Sequence, residues 1–167
     1  AYRSSDGRDA RFPDLASELV RLKVDLILTR GTPAALAAKR ATRDIPVVMA
    51  ASGDPVGSGI VTSLARPGGN VTGLSSGITE SYPKRVELLG ELLPGLRRIA
   101  VILNMANPVI PPQWSIVETS ARSLGITPHL LDVRRPEDLR GAFDAAAKQR
   151  AEAFVVGLDG VTQANLR

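Results

Sequence analysis

The chain has 167 residues, 44% of them hydrophobic but only 4% aromatic, and a net charge of +4 from 21 Lys and Arg against 17 Asp and Glu. It contains no cysteine and a single histidine, which excludes disulfides, thiol catalysis and Cys-ligated zinc and makes a conventional zinc site improbable. No stretch approaches the ~18 apolar residues of a membrane span, and the basic residues are scattered (Arg21/Lys23, Lys39/Arg40, Lys84/Arg85, Arg97/Arg98, Arg134/Arg135) rather than run together. Scattered cations without interleaved aromatics read as solvated faces, so no nucleic-acid partner is expected.

With few aromatics the core must come from Val, Leu, Ile and Ala, which suits parallel strands buried under Ala-rich helices. Residues 11–23 carry Leu15, Leu19, Val20 and Leu22 at roughly helical spacing, with acids early and bases late, as the helix dipole prefers. A short strand is predicted at Val24–Leu28. Gly31-Thr32-Pro33 breaks it and opens a small-residue helix, Ala34–Ala41, with Thr32 as N-cap and Pro33 at its first position. Ile45–Ala50 reads as the next buried strand. After a Gly/Pro-rich stretch, Gly53–Gly77, the alternation returns: a strand at Val71–Leu74, a helix at Pro83–Leu93 and the clearest strand of all, Arg98–Leu103. A helix at Ser115–Leu124 ends at Gly125, and Ile126–Val133 is a strand whose Pro128 argues for a sheet edge. A helix over Pro136–Arg150 and a strand at Ala153–Leu158 complete the series. The pattern predicts an α/β protein with parallel, doubly wound sheets. The Gly/Pro-rich stretch lacks a crossover helix of ordinary length, so a passage from one lobe to a second is expected near residues 74–80; a single six-stranded domain is the alternative.

In open parallel sheets, ligands sit beyond the carboxyl ends of strands, where helix N-termini present amide N–H groups. Four segments occupy such places. Thr29-Arg30-Gly31-Thr32-Pro33-Ala34 joins a sharp turn, a hydroxyl and a helix start, which suits a carboxylate or another anionic group or merely caps a helix. In Ala51-Ser52-Gly53-Asp54-Pro55, Asp54 either receives an ammonium or hydroxyl or caps a turn near Pro55. In Leu103-Asn104-Met105-Ala106-Asn107-Pro108, Asn104 and Asn107 each donate and accept, or simply initiate a turn. Gly157-Leu158-Asp159-Gly160 is the weakest of the four. Trp114 packs or stacks on a ligand, with packing the commoner role. His129 falls within a strand, no GxGxxG or GxxxxGK[ST] is present, and Arg66-Pro67-Gly68-Gly69-Asn70 reads as a turn into a strand. No catalytic constellation, cofactor or metal is expected.

Several phrases also match a known family: Leu15-Ala16-Ser17-Glu18-Leu19-Val20-Arg21, Gly31-Thr32-Pro33-Ala34-Ala35-Leu36-Ala37-Ala38-Lys39, Ile45-Pro46-Val47-Val48, Gly53-Asp54-Pro55-Val56-Gly57, and Ser63-Leu64-Ala65-Arg66-Pro67-Gly68-Gly69-Asn70-Val71-Thr72-Gly73, continuing into Lys84-Arg85-Val86-Glu87-Leu88-Leu89. The chain resembles the ABC-transporter substrate-binding proteins of the family that includes tryptophan- and phenylalanine-type binders. That resemblance implies a type I periplasmic-binding fold in two lobes, present here in part, with residues 1–77 in lobe one and 78–167 in lobe two. It implies ligand contacts at Gly31, Thr32, Ala34, Asp54, Asn104 and Asn107, closure of an interlobe cleft on an amino acid or similar small molecule, and a membrane permease as partner. A signal peptide or lipid anchor is expected upstream, and with it a periplasmic or other extracytoplasmic location. The proline-rich run from Pro108 to Trp114 departs from the family pattern and is expected to face the cleft. A ligand-sensing domain of a transcriptional regulator uses the same fold and is the alternative; a small α/β enzyme with Asp54 as base is a third reading.

Overall fold

Strands and helices alternate along the computed structural model, which describes residues 1–165. Its backbone divides into two units, Ala1–Gly77 and Ile78–Arg167; Leu166 and Arg167, at the end of the expected second lobe, lie outside the described residues.

In the first unit, α1 (Phe12–Arg21) leads to β1 (Ile27–Arg30), α2 (Thr32–Ala41), β2 (Val47–Ser52) and β3 (Val71–Ser75), and the strands pair in parallel in the order β1-β2-β3. Both of the first two strands start later than hydrophobicity predicts. Lys23 takes a left-handed backbone (φ 52°) after α1, so Val24 is a packed turn residue and pairing begins only at Ile27, whose N–H donates to the Pro46 carbonyl. Pro46 has no N–H to give a ladder, so β2 starts at Val47, donating to the Asn70 carbonyl. Asn70 holds this junction from the other side: its amide donates to the carbonyls of Thr42 (3.1 Å) and Ile45 (2.9 Å), which makes the Arg66–Asn70 segment the expected turn into a strand. Gly73 runs so close to β2 that a Cβ there would collide with the Met49 carbonyl oxygen. Ile27, Val47, Met49 and Val71 bury one face of the sheet beneath Ala35 and Ala38 of α2, with Leu19 and Val20 of α1 packed alongside. On the other face Leu28 and Leu74 stay 66% and 67% exposed.

The second unit follows as α3 (Tyr82–Leu92), β4 (Arg98–Leu103), α4 (Ile110–Ser123), β5 (Thr127–Asp132), α5 (Asp138–Lys148), β6 (Ala153–Val156) and α6 (Gly160–Ala164). Its strands are parallel in the order β5-β4-β6, so β5, with Pro128, is an edge of the described sheet. Ile99 to Leu103 are all buried, and their alternation feeds two cores. Ile99, Val101 and Leu103 meet Tyr82 and Val86 of α3 and Ile110, Val117 and Ala121 of α4. Ala100 and Ile102 meet Leu131, Ala142 and Ala146 of α5, and Val161. Each fully buried branched side chain contributes about 1.5–3 kcal/mol, which makes β4 the thermodynamic centre of this unit. Trp114 packs against the first of these cores.

Helix α4 starts five residues before its predicted beginning. Pro111 and Pro112 fall in its first turn, where backbone N–H groups have no partner within the helix and a proline removes nothing. Helix α6 was not predicted at all. No described helix is long and apolar enough to cross a membrane.

Candidate functional site

In each unit a group of buried polar side chains lies at or beyond the carboxyl ends of the parallel strands. In the first, Gly31 adopts φ 86° and serves as N-cap of α2, a backbone that a side chain would strain. Thr32 is therefore the first helical residue rather than the N-cap. Its hydroxyl, buried with 2% exposure, lies 3.0 Å from the Ser52 hydroxyl at the end of β2 and accepts the Gly53 N–H at 3.1 Å. Gly31 donates its own N–H to the Ala51 carbonyl, which draws the start of α2 onto the end of β2. Ala34, half-buried, completes the first turn of the helix. Asp54 stands apart: it is exposed, and its Oδ1 accepts the Gly57 N–H at 2.8 Å, closing the turn that starts at Pro55.

In the second unit the predicted asparagines converge on a residue outside the predicted set. Asn104 and Asn107, 2% and 5% exposed, both donate from Nδ2 to Asp159: Asn104 to Oδ1 at 3.2 Å and Asn107 to Oδ2 at 3.0 Å. The Val161 N–H donates to the same Oδ1 at 3.0 Å, and Asp159, itself 5% exposed, is the N-cap of α6. Thr162 returns the cap by accepting the Asp159 N–H and donates to the Gly157 carbonyl at 2.8 Å. The asparagine oxygens face backbone: Asn104 Oδ1 accepts the Ala106 N–H at 3.1 Å and Asn107 Oδ1 the Val109 N–H at 3.4 Å. Met105 donates its N–H to Asp132 Oδ1 at 2.9 Å, so the β4–α4 loop is held from two sides.

The fully buried Tyr82 lies beside this cluster, its hydroxyl near Gly157 and without a hydrogen-bond partner among the described residues. Burial pushes the phenol above its ordinary range; Arg85, whose guanidinium sits 5.3 Å from the ring centroid, acts against that shift, and Asp159 adds to it. His129 lies in β5, as predicted, with Nε2 buried and unpartnered among the described residues. No group of three His, Cys, Asp or Glu among the described residues is placed to hold a metal ion.

Thr32 thus gathers Ser52 and Gly53, and Asn104 and Asn107 gather on Asp159, each group within its own unit. Ser52 lay inside a predicted segment without being singled out. Asp159 lay in the segment ranked weakest. Its sequence signal was local and legible: an Asp followed three residues later by Thr162, a pair that caps a helix reciprocally.

Comparison with known proteins adds the family. The model of the ABC transporter substrate binding protein family matches residues 1–166. A tyrosine-binding protein of Clostridioides difficile (strain R20291) is 48% identical over 90 residues, which is 54% of this chain and 26% of that protein. The crystal structure of a conserved domain protein from Vibrio cholerae O1 biovar El Tor strain N16961 superposes with a TM-score of 0.85 at 30% identity, covering 96% of this chain and 53% of that one. An ABC domain in complex with L-Trp from Streptococcus pneumoniae gives a TM-score of 0.81 at 27% identity, over 95% of this chain and 52% of that one. The chain spans about half the length of these solved relatives, and its match covers about a quarter of the curated one. With parallel α/β sheets of the periplasmic-binding type and a family match along almost all of its length, the chain belongs to the ABC transporter substrate-binding proteins.

Proposed function

We propose that the chain supplies the ligand-capturing part of an extracytoplasmic solute-binding protein that delivers an amino acid or a similar small molecule, held between two lobes, to the permease of an ABC importer. The observation that carries this reading is where the polar groups lie. Buried polar side chains gather at the carboxyl ends of strands in both units, Thr32 and Ser52 in one and Asn104, Asn107 and Asp159 in the other. Strand ends are where open α/β sheets bind ligands. The printed ligands of relatives, tyrosine and L-Trp, favour amino acids.

In this proposal Thr32 and Ala34, in the turn that Gly31 makes possible, offer the hydroxyl and amide donors of the α2 start to the ligand's anionic end, while Asp54, Asn104 and Asn107 line its polar side. The whole protein works in the periplasm or at the outer face of the membrane, tethered through a lipid anchor or the transporter.

The test is a thermal-shift screen of the complete mature protein against amino acids, aromatic acids and small sugars. A ligand at 100 times its Kd stabilises the native state by about 2.7 kcal/mol, so one class should raise the melting temperature saturably. A flat response to every amino acid and aromatic acid removes the proposed ligand class.

A further inference from the structure

We infer that Asp159 is the positioning residue of the second unit's strand-end site: its carboxylate fixes which way the Asn104 and Asn107 amides face, and so sets the β4–α4 loop on which any ligand contact there depends. This inference rests on the proposed binding role only for its consequence on affinity; the geometry stands by itself.

An ionised carboxylate accepts hydrogen bonds and donates none. An amide that meets it must turn its NH2 inward and its oxygen away. Asp159 imposes that sense twice, on Asn104 through Oδ1 and on Asn107 through Oδ2. Each asparagine oxygen is then directed to a backbone N–H of its own loop, at Ala106 and Val109. Each asparagine thereby has one N–H engaged by Asp159 and its oxygen engaged by the main chain, which fixes the sense of the amide. Asp159 can do this because it is itself held rigidly as the N-cap of α6 by Val161 and Thr162. One carboxylate thus joins the end of β6 to the end of β4 across 55 residues of sequence.

A reciprocal exchange separates this role from the charge of Asp159 as such. In Asp159→Asn, the new NH2 replaces one oxygen and confronts the Asn107 NH2, donor against donor. In Asn107→Asp, two carboxylates face each other. In Asp159→Asn/Asn107→Asp every bond regains a partner: the oxygen at position 159 accepts from Asn104 and from the Val161 N–H, its NH2 donates to the new carboxylate at 107, and that carboxylate still accepts from Val109.

The experiment uses the complete mature protein and three readouts: melting temperature, the side-chain amide signals of Asn104 and Asn107 in 15N-correlated NMR, and calorimetric titration with L-tyrosine and L-tryptophan. Each single variant is expected to lower the melting temperature, to shift the remaining asparagine amide signals and to weaken probe binding about tenfold, the equivalent of one buried hydrogen-bond mismatch. The double variant, which has no amide at 107, is expected to recover the melting temperature, the Asn104 amide signal and probe affinity. Singles with unshifted amide signals, or a double variant no better than the worse single, overturn the inference. Recovery of melting temperature and amide signals without recovery of affinity also overturns it, because the negative charge at 159 itself would then be what meets the ligand. If neither probe binds the unaltered protein, the binding proposal fails for amino acids of this kind while the amide signals and the rescue still decide the role of Asp159.

Discussion

The two units build the same parallel ladder and finish it differently. In the first, the helices cover one face of the sheet, and the strand ends carry neutral hydroxyls, Thr32 against Ser52. In the second, helices cover both faces of β4, and the strand ends carry a buried carboxylate with two amides turned toward it. Burial on two sides leaves β4 no polar side chain from Ile99 to Leu103, and beyond its carboxyl end the polar groups of the β4–α4 loop gather on Asp159. The one-sided sheet of the first unit reads instead as an alternation, buried and exposed, from Ile27 to Arg30.

The sharpest way to break this contrast is to truncate one residue of each kind. Ile102→Ala should cost about 2–5 kcal/mol, as deletions in a closed core do, whereas Leu28→Ala, on the uncovered face, should cost under about 1 kcal/mol; denaturant unfolding measures both. Equal losses would mean that the open face of the first sheet is covered in the complete protein. Gly73→Ala probes the close approach of β3 to β2. With φ at 139° and the Met49 carbonyl in the way, it should cost at least about 1–3 kcal/mol from strained backbone alone, and no matching site exists on β4. Ser52→Ala removes the partner of a buried hydroxyl and should cost about 1 kcal/mol, with a loss of ligand affinity measurable by calorimetry; affinity left intact would remove the hydroxyl pair from the binding site.

The smallest effect concerns acid. Glu152 is held below the usual carboxylate range, first by the Arg97 backbone N–H and then by Arg98 in backbone and charge. Glu18 of the first unit is lowered likewise, first by the Arg3 side chain. A carboxyl whose pKa is depressed by folding adds stability above its unfolded pKa and loses it as the pH falls through the folded one. Glu152→Gln and Glu18→Gln should therefore each lower the melting temperature slightly at neutral pH and have no effect at strongly acidic pH. Both groups are exposed, which keeps the differences small.

Most of this was legible in sequence because burial on two faces writes itself as an unbroken apolar run. Arg98–Leu103 was read to the residue. Val24–Leu28 and Ile45–Ala50 were read too early, since Val24 and Ile45 are apolar for packing while pairing waits for Ile27 and Val47. The start of α4 was misplaced because Pro111-Pro112 looks like a breaker, although a first helical turn needs no internal N–H. The strand-end positions Thr32, Asn104 and Asn107 followed from topology alone, but what they touch did not. The bonds of Asp159 to the asparagines span 55 and 52 residues, and no local pattern announces a contact at that range.

The way α4 begins has a consequence for anions. Val109 gives its N–H to Asn107 Oδ1, Ile110 gives its own to the Asn107 carbonyl, and Pro111 and Pro112 have none to give. Every amide that a helix start ordinarily holds out to a phosphate, sulfate or carboxylate is thus either occupied or missing until Gln113. The positive end of this helix is chemically mute. The start of α2, with a single proline at Pro33, keeps its voice, so competition by sulfate or phosphate should register at the start of α2 and not at the start of α4.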